Sequence, residues 1–318
     1  PCSNNPDYRA FWVSTIEDQF KTYPALQGFM FGEERGGPLS DVLFSGGRRL
    51  PTCFCRYCLE RAARERVDAP RAREGFRRLY ELLRSIDAGQ SPPGGTLVSI
   101  LRVLFEWPEI LVWDRMQRRS REEIEKSMYG TIHALRQDAE FGVHVHQLDT
   151  TLSILQHAQT DYGDMATWVD FIKPSIYPDC GGPRLYDRMQ SLRSRWLGEI
   201  DPTALLSLYY GVMGMGPDRE PSWKELETRE VGFSPDHVFG AVKRCVDGVG
   251  GRSKVYAGLG LDIPMDRHQR PLVADPQKLY ESTRACLDAG ADGLLLSREY
   301  DEMRVESLRA GGRALDEA

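Results

Sequence analysis

Five short apolar runs, each closing on polar or charged residues, constrain this chain more than any other feature. They cover 26–31, 141–147, 169–178, 254–262 and 291–299, and helical stretches separate each from the next. Alternating strand and helix along one chain points to a parallel sheet with helices outside it. Short buried strands that end in polar groups are how a barrel delivers side chains to a site. The expected fold is therefore α/β, a (β/α)8 TIM-type barrel. Closure of that barrel takes eight strands, so five make it incomplete. The expectation is the last five βα units, strands four to eight, in a single domain over 1–318, with three units preceding residue 1. An open doubly wound sheet is the competing reading, but no G-x-G-x-x-G loop is present to favour it.

Between the runs, 7–22 reads as an amphipathic helix with Phe11, Ile16 and Phe20 on one face. Residues 39–52, rich in Gly, Ser and Arg, read as a loop. One long helical stretch is expected from Tyr57 to Ile86, then a break over 87–95. Helices follow at 96–106 and 119–138, separated by Trp107-Pro108 and the region of Trp113. Later helices are expected up to about 197 after Gly181-Gly182-Pro183, and at 203–212, 235–249, 275–289 and 303–316.

Three of the seven cysteines form Cys53-Phe54-Cys55-Arg56-Tyr57-Cys58, a C-x-C-x-x-C spacing. Such clustering does not suit a disulfide framework across a domain of this size, whereas thiolates at this spacing suit zinc. Cys2, just before the first helix, is the best fourth ligand. Four thiolates leave no open position, so the site would be structural. The other reading is reduced thiols packed as small hydrophobes. Thiol usage favours a reducing, cytoplasmic setting.

A net charge of −6 at pH 7 gives no electrostatic reason to expect nucleic acid as a partner. No apolar run approaches the roughly 18 residues of a membrane span. The Arg-rich helices near 61–78 and 115–121 interleave acids and read as solvated faces.

Cys2-Ser3-Asn4-Asn5-Pro6-Asp7-Tyr8-Arg9 resembles the C-P-x-S-P-x-Y-R stretch of family-42 β-galactosidases, and C-x-C-x-x-C matches theirs. Residues 28–34 lie in the register of their fourth strand, which ends in D-N-E. Asn5-Pro6-Asp7-Tyr8-Arg9-Ala10-Phe11 with Cys53-Phe54-Cys55 is more similar to a broad group of hypothetical glycosyl hydrolases with family 10-like barrels. The detailed match covers about residues 1–60. It implies zinc on Cys2, Cys53, Cys55 and Cys58. It implies Glu34 as general acid/base, with Glu33 where the family has Asn. The family's nucleophile belongs to strand seven, where this chain offers Asp262.

Glycosidases set two carboxyl groups about the scissile bond. The acids at run ends are Glu33, Glu34, Asp262 and Glu299. Adjacent glutamates on a strand point to opposite faces, so one of Glu33 and Glu34 faces the axis. Glu34 is the expected acid/base and Asp262 the second carboxylate; Asp262 otherwise reads as a turn cap before Ile263-Pro264. Arg35, Trp113, His144, His146, Tyr177, Arg298 and Glu299 are the candidate sugar-binding residues. Two other classes stay open: a metal-dependent sugar isomerase or epimerase using the histidine pair, and a catalytically inactive carbohydrate-binding barrel.

Overall fold

The computed structural model describes residues 1–32, 36–44, 50–263, 272–298 and 302–317. The chain divides into two compact units, one of Pro1–Phe29, Glu34–Phe141 and Ser191–Glu199, the other of Met30–Glu33, Gly142–Gln190 and Ile200–Ala318.

The first unit is chiefly helical. Helix α1 (Pro6–Thr22) begins where the Asn5 side chain accepts from the Asp7 N–H at 3.0 Å, with Pro6 in the first turn. Ile16 and Phe20 face inward, but Phe11 is 56% exposed and does not share their face. Strand β1 (Gly28–Phe31) follows, then α2 (Gly37–Phe44), α3 (Arg56–Glu65), α4 (Ala69–Asp87), α5 (Thr96–Glu106) and α6 (Glu109–Leu135).

Three expectations change here. Part of the expected loop 39–52 is α2, whose Leu39 N–H donates to buried Asp114 at 2.9 Å. The long 57–86 stretch is two helices. Arg66 ends α3 in the left-handed region (φ 58°), and Asp68 opens α4 by accepting from the Arg71 N–H. Trp113 does not interrupt a helix, because Pro108 lies before the first turn of α6, where no N–H is needed. Ile110, Trp113, Met116, Ile124, Met128 and Ile132 then form one buried stripe at helical spacing. The Trp113 ring stacks on Phe54 at 4.1 Å, with Phe76 edge-on to Phe54.

The remaining elements are β2 (Glu140–Val145), a π-helical turn (Leu148–Leu152), α7 (Ile154–His157), α8 (Tyr162–Met165), β3 (Phe171–Ile176), α9 (Pro178–Arg195), α10 (Pro202–Met213), α11 (Trp223–Thr228), α12 (Pro235–Val249), β4 (Lys254–Gly260), α13 (Pro276–Asp288), β5 (Gly293–Ser297) and α14 (Val305–Asp316). The five parallel strands lie in sequence order, β1-β2-β3-β4-β5, and make a half-barrel. Every residue of β3 is buried, as a parallel strand covered on both faces requires. Register sets His144 beside Lys173, Ser175 beside Gly258 and Gly260 beside Ser297. No described helix is long and apolar enough to cross a membrane.

The approach of β2 to β3 depends on Gly142, where a Cβ would lie 2.0 Å from the Phe171 ring. Gly142→Ala must displace a buried aromatic. Denaturant unfolding should show a loss of about 1–3 kcal/mol, and an unchanged midpoint would contradict this packing.

Candidate functional site

The sulfurs of Cys2, Cys53, Cys55 and Cys58 lie within 4.8 Å of one another. Cys2 reaches the others because α1 starts immediately after it, while Cys55 is the N-cap of α3 and Cys58 its first buried turn. Cys2–Cys58, Cys2–Cys55 and Cys55–Cys58 sulfurs are 3.4, 3.5 and 3.8 Å apart. A disulfide needs about 2.05 Å. A tetrahedral centre with Zn–S bonds of about 2.3 Å has S···S edges of about 3.8 Å. The donors are all soft sulfurs, so the set fits a metal such as zinc. Burial pushes the Cys2 thiol up, and its bond with Cys58 adds to this. At Cys55 burial also raises the pKa, but the Cys58 backbone and the three neighbouring thiols outweigh it and bring it down to about 7. Cys55 lies at the N-terminus of α3, where a thiolate is favoured.

Three helices hold this centre. Asn4 donates to Cys58 Sγ at 3.4 Å, and its Oδ1 accepts from Ser120 at 2.8 Å and from Arg61 at 3.2 Å. Buried Arg61 makes a bidentate pair with Glu123 and bonds Glu65. Arg9 meets the same Glu123 at 2.7 Å. Gln117 donates to the Cys53 carbonyl at 3.2 Å. Orienting partners of this kind set ligand geometry and metal affinity.

A second group of side chains lies on one face of the half-barrel in the other unit. Lys173, 5% exposed, donates to Ser297 Oγ at 2.6 Å and stands 3.3 Å from His144 Nδ1. Ser175 Oγ lies 3.1 Å from His144 Nε2. Lys173 crosses the neighbouring strand over Gly258, where a Cβ would come within 2.5 Å of its Cε. Its ammonium also sits 5.9 Å from the Tyr177 ring centre. Burial, then Lys173 and His146, push His144 down to about 3, so its imidazole is neutral at physiological pH. The His146 ring is 6.3 Å from that of His144, and its Nδ1 accepts the Leu148 N–H, opening the π-helical turn. Among the described residues, the four cysteines are the one cluster of three or more metal-ligating side chains.

The acids separate by surroundings. Asp262, 5% exposed and at positive φ (49°), accepts from the Ala274 N–H at 2.8 Å and from Arg304 at 3.4 Å. Asp179, in the first turn of α9, opens on a cavity of about 550 Å³ that Glu220, Glu230, Asp275 and Lys278 also line. Glu220 accepts from the Ser234 N–H at 2.9 Å and from its hydroxyl. Burial raises both Asp179, to about 6, and Glu220. Arg298 pairs with Glu302 at 2.6 Å. Trp113 is wholly buried in the helical unit, so it offers no face to a sugar and its expected place among the sugar-binding residues gives way to a core role. Glu33, Glu34, Arg35 and Glu299 lie outside the described residues. Asp179 is not among the acids at the run ends because it belongs to the following helix; the Tyr177-Pro178-Asp179 junction is its signal in the sequence.

No family model matches the chain, and no curated protein matches it in sequence. Among solved structures, bee venom hyaluronidase in complex with a hyaluronic acid tetramer aligns at 12% identity with a TM-score of 0.36, covering 92% of this chain and 69% of that one. At that score the likeness assigns neither residue roles nor a ligand.

Two outcomes follow from the geometry. Asn4→Ala removes the donor to Cys58 and should weaken zinc binding about 10–100-fold in a chelator competition; unchanged competition would remove Asn4 from the centre. His237, like His144, is pushed down to about 3, by burial and then Arg244. Unfolded histidine takes its proton near pH 6.5, so stability from both is full above that pH and declines as pH falls toward 3. His237→Gln should flatten the decline in unfolding free energy between pH 6.5 and 4, and an unaltered slope would refute this.

Proposed function

We propose that the chain is a single glycoside-hydrolase-like barrel domain acting on a glycosidic bond, with a structural zinc in its cysteine centre. The observation that carries the reading is the convergence of His144, Lys173, Ser175 and Ser297 on one face of parallel strands. Sites of parallel barrels form at the carboxyl end of the strands. Hydroxyl, imidazole and ammonium groups are suited to bonding sugar hydroxyls, and Tyr177 supplies a ring. The sequence resemblance over residues 1–60 supports the same class.

In this reading Glu34 gives its proton to the leaving oxygen, and a second carboxyl group works on the opposite side of the sugar. Asp262 and Asp179 are the described candidates for that second role. The zinc, held by Cys2, Cys53, Cys55 and Cys58, fixes the N-terminal segment to the start of α3 and takes no part in the reaction. Carboxylates around the cavity disfavour anionic sugars, so neutral glycosides are the substrates to test first.

A panel of neutral aryl glycosides tests the proposal. Glu34→Gln should lower kcat by about 10²–10⁴-fold on any substrate the wild type cleaves. Sugar binding without turnover on the whole panel would replace hydrolysis with the binding reading. Full activity in Glu34→Gln would remove that residue from the chemistry.

A further inference from the structure

We propose that Lys173 is a nucleophile that forms a Schiff base with the carbonyl group of a small hydroxy-aldehyde or hydroxy-ketone, such as a sugar in its open-chain form. This activity goes beyond the hydrolytic reading and uses none of its carboxyl groups. A lysine acts in this way when it is withdrawn from water, held by its neighbours and delivered where a substrate can reach it.

Lys173 is the third residue of β3 and is 5% exposed. Removal from water favours an amine over an ammonium. Its stem passes over Gly258 of β4, where a Cβ would come within 2.5 Å of its Cε. That glycine lets a buried strand residue reach Ser297, the last residue of β5, whose hydroxyl lies 2.6 Å from Nζ. His144, next to last in β2, brings Nδ1 to 3.3 Å from the same nitrogen. Side chains of three strands thus meet at one amine, toward the end at which a parallel barrel carries its chemistry.

The neighbours fix how that nitrogen is turned. His144 can accept a proton's hydrogen bond because its imidazole is neutral: burial, then Lys173 and His146, hold it down at about 3. With Nδ1 accepting from Lys173, the ring proton is on Nε2, 3.1 Å from Ser175 Oγ. Nucleophile, acceptor and a third group orienting the acceptor are the arrangement that covalent catalysis uses.

The surroundings suit a hydroxylated carbonyl compound. His144, Tyr177 and Ser297 are each half-buried, and β5 is half-buried along its whole length, so the face is reached from solvent beside the amine. The hydroxyls of Ser175 and Ser297 can bond substrate hydroxyls, and the Tyr177 ring stands 5.9 Å from Nζ. In the reaction the Nζ lone pair forms a bond to the carbonyl carbon, and the π pair of the carbonyl moves to its oxygen. That oxygen takes both amine protons, the first relayed by the Ser297 hydroxyl, and leaves as water with its bonding pair. The electron pair left on nitrogen closes the carbon–nitrogen double bond. One amine and one carbonyl give one imine and one water, and nothing is oxidised or reduced.

The test incubates the full chain with dihydroxyacetone, adds sodium borohydride and maps the peptides by mass spectrometry. Borohydride reduces the imine to a stable secondary amine, so Lys173 should carry one reduced three-carbon unit. Lys243, an exposed lysine paired with Asp247, should label at least about tenfold more slowly. Lys173→Arg, which keeps a cation in place, should lose the adduct with its circular dichroism unchanged. Ser297→Ala should slow trapping by about 10²-fold, and a wild-type rate in that variant would take Ser297 out of the step. No adduct on Lys173 of the wild type, or one formed no faster than on Lys243, overturns the proposal whether or not a variant folds. Trapping breaks no glycosidic bond, so failure of the hydrolytic reading on a glycoside panel would leave this result standing.

Discussion

The parallel pairing of β3 with β2 and β4 is the constraint on which the rest of the second unit depends. Parallel ladders are evenly spaced and tolerate no slip, because a shift of one residue would turn every side chain to the other face. In this register His144 and Lys173 stand side by side, and Gly258 leaves the space through which the lysine reaches Ser297. Burying an ammonium costs several kcal/mol unless polar groups receive it. Ser297 and the neutral imidazole of His144 are among the groups that do so. The polar cluster is thus a consequence of strand register before it is anything chemical.

The helical unit answers a different constraint. Cysteines separated by 51 residues of chain can share a centre only if the segments carrying them are held by something besides sulfur. Arg61 is that element, buried and committed to Glu123, Glu65 and Asn4 at once. A buried arginine stripped of such partners would be strongly destabilising, so Arg61 ties the segments that carry the thiols to one another. Stacking of Trp113 on Phe54, one residue from two of the cysteines, ties the same loop to the core of α6.

Much of this was legible in the sequence. The strand–helix rhythm identified all five strands and their order, since parallel strands buried on both faces read as short apolar runs. The spacing of Cys53, Cys55 and Cys58 marked the thiol cluster, and Cys2 was legible from its place just before the first helix and from the family resemblance. What escaped was set by burial. Nothing in the Gly- and Ser-rich stretch after residue 36 signals α2, because that helix is capped from afar by Asp114. Trp113 reads as a sugar-binding side chain until the period of α6 places it on that helix's buried stripe. Loops such as 66–68 are decided by a left-handed Arg66, which no propensity scale would select.

The acids show the same division at the level of chemistry. Asp262, Glu220 and Asp179 are all carboxyl groups on the segments that follow or precede the strand ends, and position in the sequence alone favours Asp262. Their hydrogen bonds rank them differently. An Asp at positive φ that accepts a backbone N–H and an arginine is a fastening for the chain after β4. A glutamate accepting from a helix-capping serine fastens the start of α12. Both carboxyl groups are engaged in bonds that secure the local chain. Asp179, half-buried at the start of α9, makes no such bonds among the described residues and is held through the backbone.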